Sequence, residues 1–245
     1  MSDWLFDLGN SRFKFAPLQG VRAGDVQAWP HGAEAMPATA LQALPSGDNA
    51  YVASVAGATL TASMLAVLQT RFGQVRVARS EAEYAGVRVA YADPSRFGVD
   101  RFLALLAVAA QREPVLLVGV GTALTIDLVD AEGQHHGGRI AASPTTMREA
   151  LHARAVQLPA SGGAYAEFAN DTDDALTSGC DGAAVALIER SLAQAAALLG
   201  TSPTLRVHGG GAPALLPLLP GARFEPSLVL DGLARWAVHQ PPAAG

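Results

Sequence analysis

The sequence predicts an α/β protein made of two similar lobes facing each other across a cleft. Short apolar strand patterns alternate with helical ones along the chain. The stretch "LFDLGNSRFKF" near the start also has a counterpart in "LLVGVGTALTI". Each reads as an apolar strand, a glycine turn and a second strand, with Gly9 over Gly121, Asn10 over Thr122 and Asp7 over Gly119. A repeat of about half the chain is too long for a solenoid unit and fits a duplicated lobe. The expected division is 1–112 for the N-terminal lobe and 113–245 for the C-terminal lobe.

The elements follow in order. "WLFDLG" and "SRFKFAPL" are strands joined by a tight turn, and "NAYVASV" is a third. Residues 58–72 have helical apolar spacing at Leu60, Met64, Leu65 and Leu68, and "QVRVA" returns as a strand. "PSRFGVDRFLALLAVAAQR" turns into a buried, alanine-rich helix. The pattern restarts at Pro114 with "PVLLVGVG" and "TALTIDLVDAEG", after which "GGRI" begins another strand. "PTTMREALHARAVQL" is a helix with Pro144 near its first turn. Residues 158–174 read as a loop, and a long helix pattern follows, weakened around Gly179–Gly182. "TLRVHGGGA" is a strand entering a glycine turn, "PSLVLDGLARWAVH" is the last helix, and "QPPAAG" is a frayed tail.

Composition narrows the function. Half of the 245 residues are hydrophobic, 16% are charged and the net charge is −5. That describes a globular protein with a real core, and with no basic run it disfavours nucleic acid as a partner. A lone cysteine, Cys180, makes no internal disulfide and fits a reducing cytoplasm. The N-terminus lacks a signal-peptide pattern, and the apolar stretches Phe102–Ala110 and Val115–Ile126 are too short or interrupted to span a bilayer. A cytoplasmic protein without a membrane partner is expected.

Among the 17 basic residues Lys14 is the single lysine, and it follows the acidic, glycine-containing turn "DLGNSR". Backbone amides at such a turn can approach a phosphate, side chains of Asn10 and Ser11 add donors, and Lys14 adds a point charge suited to phosphate. Asp7 can hold Mg²⁺ directly or through water. Two such hairpins could grip one nucleotide, although most glycine-turn hairpins bind nothing. No Walker A motif is possible, because Phe13 precedes the only lysine, and "GVGTAL" leads into a strand where a Rossmann motif needs a helix. "HGGGA" either packs backbone against an adenine or phosphate or is only a tight strand–helix turn. "YADPSRFGVDRF" puts Asp100 and Arg101 at a helix start. There Asp100 is either a dipole contact or a base taking a proton from an attacking hydroxyl, with Arg101 holding an anion. The acids Asp171, Asp173 and Asp174 read as a solvated helix start. His135 and His136 fall at a hairpin tip without zinc-ligand spacing.

The order "DLGNSRFK", "YADPSRFGVDR", "GTALTID", "GGRI", "TDDALTSG" and "HGGGA" resembles type III pantothenate kinase over about residues 3–236. That family belongs to the acetate and sugar kinase/Hsp70/actin superfamily, with duplicated ribonuclease H-like lobes, a nucleotide cleft between them and a homodimeric assembly. The resemblance implies transfer of the γ-phosphoryl of ATP to the primary hydroxyl of pantothenate, the first step towards coenzyme A. It implies a first phosphate loop of Asp7, Leu8, Gly9, Asn10, Ser11, Arg12, Phe13 and Lys14, with Asp7 near Mg²⁺. Gly121, Thr122 and Ala123 would form the second loop, and Gly209 and Gly210 would lie in the adenosine region. Tyr91, Gly98, Val99, Asp100 and Arg101 would bind pantothenate, Asp100 as proton acceptor, and Thr172 would reach it from the dimer partner.

Two places depart from the family pattern. Gly119 stands where the family usually carries an aspartate that binds K⁺ or NH₄⁺, and Ala142 and Ser143 replace a usual Pro-Gly. Another kinase or phosphatase on the same fold is one rival, since fold does not fix substrate. A non-catalytic regulator is the other, because a relative was named as an accessory factor for toxin-gene transcription. Retention of Asp7, Lys14, Asp100, Arg101 and Thr122 argues against a decayed site.

Overall fold

The computed structural model describes residues 2–32 and 36–240. Its elements run β1 (Asp3–Leu8), β2 (Arg12–Gln19), β3 (Arg22–Ala23), β4 (Gln27–Pro30), α1 (Ala38–Gln42), β5 (Gly47–Ser54), α2 (Ala58–Gln69), β6 (Phe72–Val77), β7 (Glu83–Tyr84), β8 (Val87–Arg88) and α3 (Val99–Ala109). The chain continues through β9 (Val115–Val120), β10 (Ala123–Val129), β11 (His135–Ala142), α4 (Pro144–Arg154), α5 (Thr172–Leu199), β12 (Thr204–His208), α6 (Ala212–Leu215), β13 (Arg223–Phe224) and α7 (Leu228–Val238). They form two compact units.

The first unit has a sheet ordered β3-β2-β1-β5-β6, with β4 also on β2. β1 and β2 are antiparallel, whereas β1, β5 and β6 run parallel. The second unit repeats the plan as β11-β10-β9-β12-β13, with β9 and β10 antiparallel and β9, β12 and β13 parallel. The duplication read from two short stretches therefore extends to whole sheets.

Side-chain alternation explains the first unit's core. Opposite residues of an antiparallel pair share a face. Phe6 faces Phe15 and Leu8 faces Phe13, so these four lie on one side. There they meet Ala40, Leu44, Leu60, Met64 and Leu68. Asp7 faces Lys14, so both charges leave on the opposite side. In the second unit Val118, Val120, Leu124 and Ile126 pack with Ala184, Val185 and Ile188 of α5.

Several expectations change. The last helix belongs with the first unit, which takes Glu132–Gln134 and the described residues from Ser227 onward. The reason is local packing of α7 on α3: a Cβ on Gly232 would sit 1.9 Å from the Leu103 carbonyl oxygen. The expected boundary at 112/113 thus marks only the first passage of the chain. α5 runs unbroken through Gly179 and Gly182, and it begins at Thr172, inside the stretch expected to be a loop. By length and composition this 28-residue helix could cross a bilayer, unlike the two shorter apolar stretches named above. Its stripe of Leu176, Cys180, Ala184, Val185, Ile188 and Ala195 is nevertheless buried. His135 is not at a hairpin tip but opens β11, fully buried, with Nε2 3.0 Å from Asp127 Oδ1. The adjacent His136 pairs with Asp130 at 2.7 Å. Part of the expected tail, 241–245, lies outside the described residues.

Candidate active site

In the first unit the β1–β2 turn is closed by the Gly9 amide, which donates to the Arg12 carbonyl at 3.0 Å. The Gly121 amide does the same in the β9–β10 turn, donating to Ala123 at 2.9 Å. In both turns the glycine amide thus closes the hairpin. Leu8 and Phe13 are buried at 1% and 0% exposure, their side chains in the core of the first unit.

Each turn is held by a residue that sequence reasoning missed. His31 Nε2 lies 3.0 Å from the Gly9 carbonyl, and the His31 amide donates to Ser11 at 3.1 Å. In the second unit Thr146 Oγ1 donates to the Thr122 carbonyl at 2.6 Å. Thr146 sits in the first turn of α4, whose N-cap is Ser143, with Pro144 following it. Ser143, one of the two departures, is therefore an effective helix cap. Neither brace has a sequence motif, since both depend on a distant strand or helix arriving beside a turn.

Asp7 is 8% exposed and its pKa is raised from 3.8 to about 6. Burial is the largest cause, Lys14 opposes it, and the Asp100 charge adds to it. Asp7 therefore lies within electrostatic reach of both Lys14 and Asp100 in the first unit. Asp100 lies in the first turn of α3, where its Oδ1 accepts from the Arg101 amide at 2.9 Å. Gly98 is the N-cap of that helix, and a Cβ there would lie 2.7 Å from Asp100 Oδ1. Glycine at 98 thus leaves room for the carboxylate to fold back over the helix start. Val99 is the first residue of α3. Arg101 is 6% exposed and donates to the Tyr91 hydroxyl at 3.3 Å. Tyr91, Gly98, Asp100 and Arg101 are thus gathered at one helix start.

No group of three or more His, Cys, Asp or Glu able to hold a metal occurs among the described residues. A desolvated carboxylate beside a second acid does suit Mg²⁺, which typically takes one or two carboxylates and completes its shell with phosphate oxygens and water. Asp7 fits that role. Gly119, the other departure, lies in β9. It has no side-chain oxygen, and a Cβ there would lie 2.6 Å from Thr125 Oγ1 and 2.9 Å from His208 Nε2.

In the second unit Gly209 has φ +98°, and a Cβ on it would strike the Val120 carbonyl at 2.3 Å. The Gly211 amide donates to that same carbonyl at 3.0 Å. Gly209, Gly210 and Gly211 thus turn directly against the residue before Gly121. The tight-turn reading accounts for Gly209 and Gly211 by itself. Thr172 is exposed at the start of α5, where Asp171 caps the helix by accepting from Asp174. Thr172 lies in the second unit, and Tyr91 and Arg101 lie in the first.

The family model of type III pantothenate kinase matches residues 4–194. The chain belongs to the type III pantothenate kinase family. The type III pantothenate kinase of Stenotrophomonas maltophilia strain R551-3 is 76% identical over 241 residues, covering 98% of this chain and 99% of that protein. The one of Xanthomonas campestris pv. campestris strain B100 is 76% identical over 239 residues, covering 98% of each. Among solved structures, one from Campylobacter jejuni described as a Baf family transcriptional activator has a TM-score of 0.64 at 19% identity, covering 94% of each chain. Another, described as a 2-dehydro-3-deoxygalactonokinase from Sinorhizobium meliloti, has a TM-score of 0.57 at 15% identity, covering 97% of this chain and 99% of that one. These two likenesses concern the fold alone. They agree with an α/β architecture of two duplicated ribonuclease H-like lobes.

Proposed function

We propose that this pantothenate kinase transfers the γ-phosphoryl group of ATP to the primary hydroxyl of pantothenate through the residues gathered at the start of α3 and on the β1–β2 hairpin. The observation that carries the assignment is the pairing of Asp7 with Lys14 across the β1–β2 hairpin, with the charge of Asp100 within reach of Asp7. Phosphoryl transfer needs positioning and charge stabilisation more than covalent help. Asp100 accepts the hydroxyl proton, the alcohol oxygen bonds to the γ-phosphorus, and the bond to the bridging oxygen breaks with release of ADP. Lys14 sets its charge near the ATP phosphates. Mg²⁺, held by Asp7, neutralises phosphate charge when bound.

Arg101 and Tyr91 hold pantothenate, with the guanidinium facing its carboxylate. The turns around Asn10, Ser11, Thr122 and Ala123 meet the phosphates, and Gly210 lies in the adenosine region. Thr172 completes the pantothenate site from a second copy in a cytoplasmic homodimer with no nucleic-acid or membrane partner. Because the place of the usual carboxylate at 119 lies against Thr125 and His208, the reaction runs without K⁺ or NH₄⁺.

Pantothenate-dependent ADP release by the purified protein, with and without K⁺ at fixed Mg²⁺ and ionic strength, tests this reading. Equal turnover in both is expected. Turnover only with K⁺ would refute the cation assignment, and no turnover in either would refute the catalytic one.

A further inference from the structure

Arg101 is an unusual cation. It sits in the first turn of α3, where the helix dipole disfavours positive charge, and it is only 6% exposed. Two aromatic rings meet it there. Its guanidinium carbon lies 4.7 Å from the centroid of Phe97 and 5.9 Å from that of Tyr91. The two rings are 4.9 Å apart and inclined at 51°. Phe97 is 2% exposed, and its backbone is fixed at both polar groups. Its amide donates to Pro94 at 3.0 Å, and its carbonyl accepts from Ser80 Oγ at 2.7 Å. The ring is thus a buried wall on an anchored backbone, packed against the arginine.

We propose that Phe97 is a positioning residue for substrate recognition: the negative face of its ring holds the Arg101 guanidinium at the helix start that carries Asp100, to receive an anionic group of the substrate. The proposal rests on the reading of Arg101 as the group that meets the pantothenate carboxylate. A ring face attracts a desolvated cation more strongly than an exposed one. It attracts the charge without offering a hydrogen-bond acceptor, whereas a carboxylate takes N–H donors directly. An aliphatic side chain of similar size would fill the space without that attraction. The sequence motif "SRFGVDR" drew attention to the charged pair and not to the phenylalanine before it.

The test replaces Phe97 with phenylalanines carrying successively more ring fluorines, which nearly keep the shape while draining the negative face. The KM for pantothenate should rise with each step, reaching about tenfold for the most fluorinated ring, with kcat and the KM for ATP little changed. Phe97→Leu should give a similar rise, and a melting curve reports how much its loss of packing adds. Arg101→Ala is measured in parallel. If Arg101→Ala raises the pantothenate KM but the fluorinated series stays flat in folded protein, the role of Phe97 is overturned and the arginine reading stands. If Arg101→Ala leaves that KM unchanged, the arginine reading fails and takes the proposal with it.

Discussion

Asp7 stands directly opposite Lys14 in the antiparallel register of β1 and β2. The two side chains therefore share one face of the hairpin, away from the phenylalanine side of the sheet. The single lysine thereby gains a defined partner in a buried carboxylate. Lys14→Ala should raise the KM for MgATP by tenfold or more, with pantothenate binding little altered. Steady-state kinetics with each substrate varied checks this, and an unaltered ATP dependence would make the lysine incidental.

The raised pKa of Asp7, about 6 against 3.8, makes a stability prediction for the protein free of Mg²⁺ and nucleotide. The folded state holds the proton more tightly than the unfolded state between those values. Stability is thus greatest with Asp7 protonated and falls as pH rises through about 6. The loss is on the order of 2–3 kcal/mol. Asp7→Asn should melt higher than wild type at pH 7.5, and the two should converge near pH 4. Melting curves across that range decide it. The same variant should lose most of its kinase activity, because it no longer offers Mg²⁺ an anionic ligand.

Gly98→Ala should separate activity from stability. The added Cβ would meet the far end of the Asp100 side chain, which can move at little cost. A stability change under about 1 kcal/mol is expected, with kcat reduced at least tenfold as the carboxylate is displaced. Equal losses in both would show that the glycine serves the backbone alone.

At Gly232→Ala the obstruction is the Leu103 backbone, which has nowhere to go. The α3–α7 contact must open, at a cost of about 1–3 kcal/mol. A fall in melting temperature is expected. Because α3 carries Asp100 and Arg101, the pantothenate KM should rise as well.

His31→Ala and Thr146→Val each remove a brace from a turn carbonyl. Each should raise the KM for ATP severalfold and leave that for pantothenate near its original value. Equal effects on both substrates would contradict the assignment of these turns to ATP.

The sequence was most informative where period and turn chemistry act locally. The β1–β2 and β9–β10 hairpins and the duplication were visible in the alternation of apolar residues around Gly9 and Gly121, and the helix carrying Asp100 in its own apolar run. What escaped depends on contacts distant in the chain. The amphipathic pattern of α7 announces a helix but not that it packs on α3. His31 and Thr146 look like ordinary polar residues until a strand and a helix bring them to the turns. The Gly179–Gly182 stretch suggested a break, yet nothing approaches Gly179 and only the Tyr165 ring approaches Gly182, so α5 continues. Burial of His135 against Asp127 was hidden because a His-His pair beside a glycine reads as a polar turn.

In the proposed reaction Asp100 accepts the proton from pantothenate. The most direct measurement is single-turnover transfer of the γ-phosphoryl of ATP to pantothenate by wild type and Asp100→Asn, alongside binding of both substrates. Loss of transfer by about 10²-fold or more, with both substrates still bound, is the predicted result. Unchanged transfer in Asp100→Asn would contradict the account.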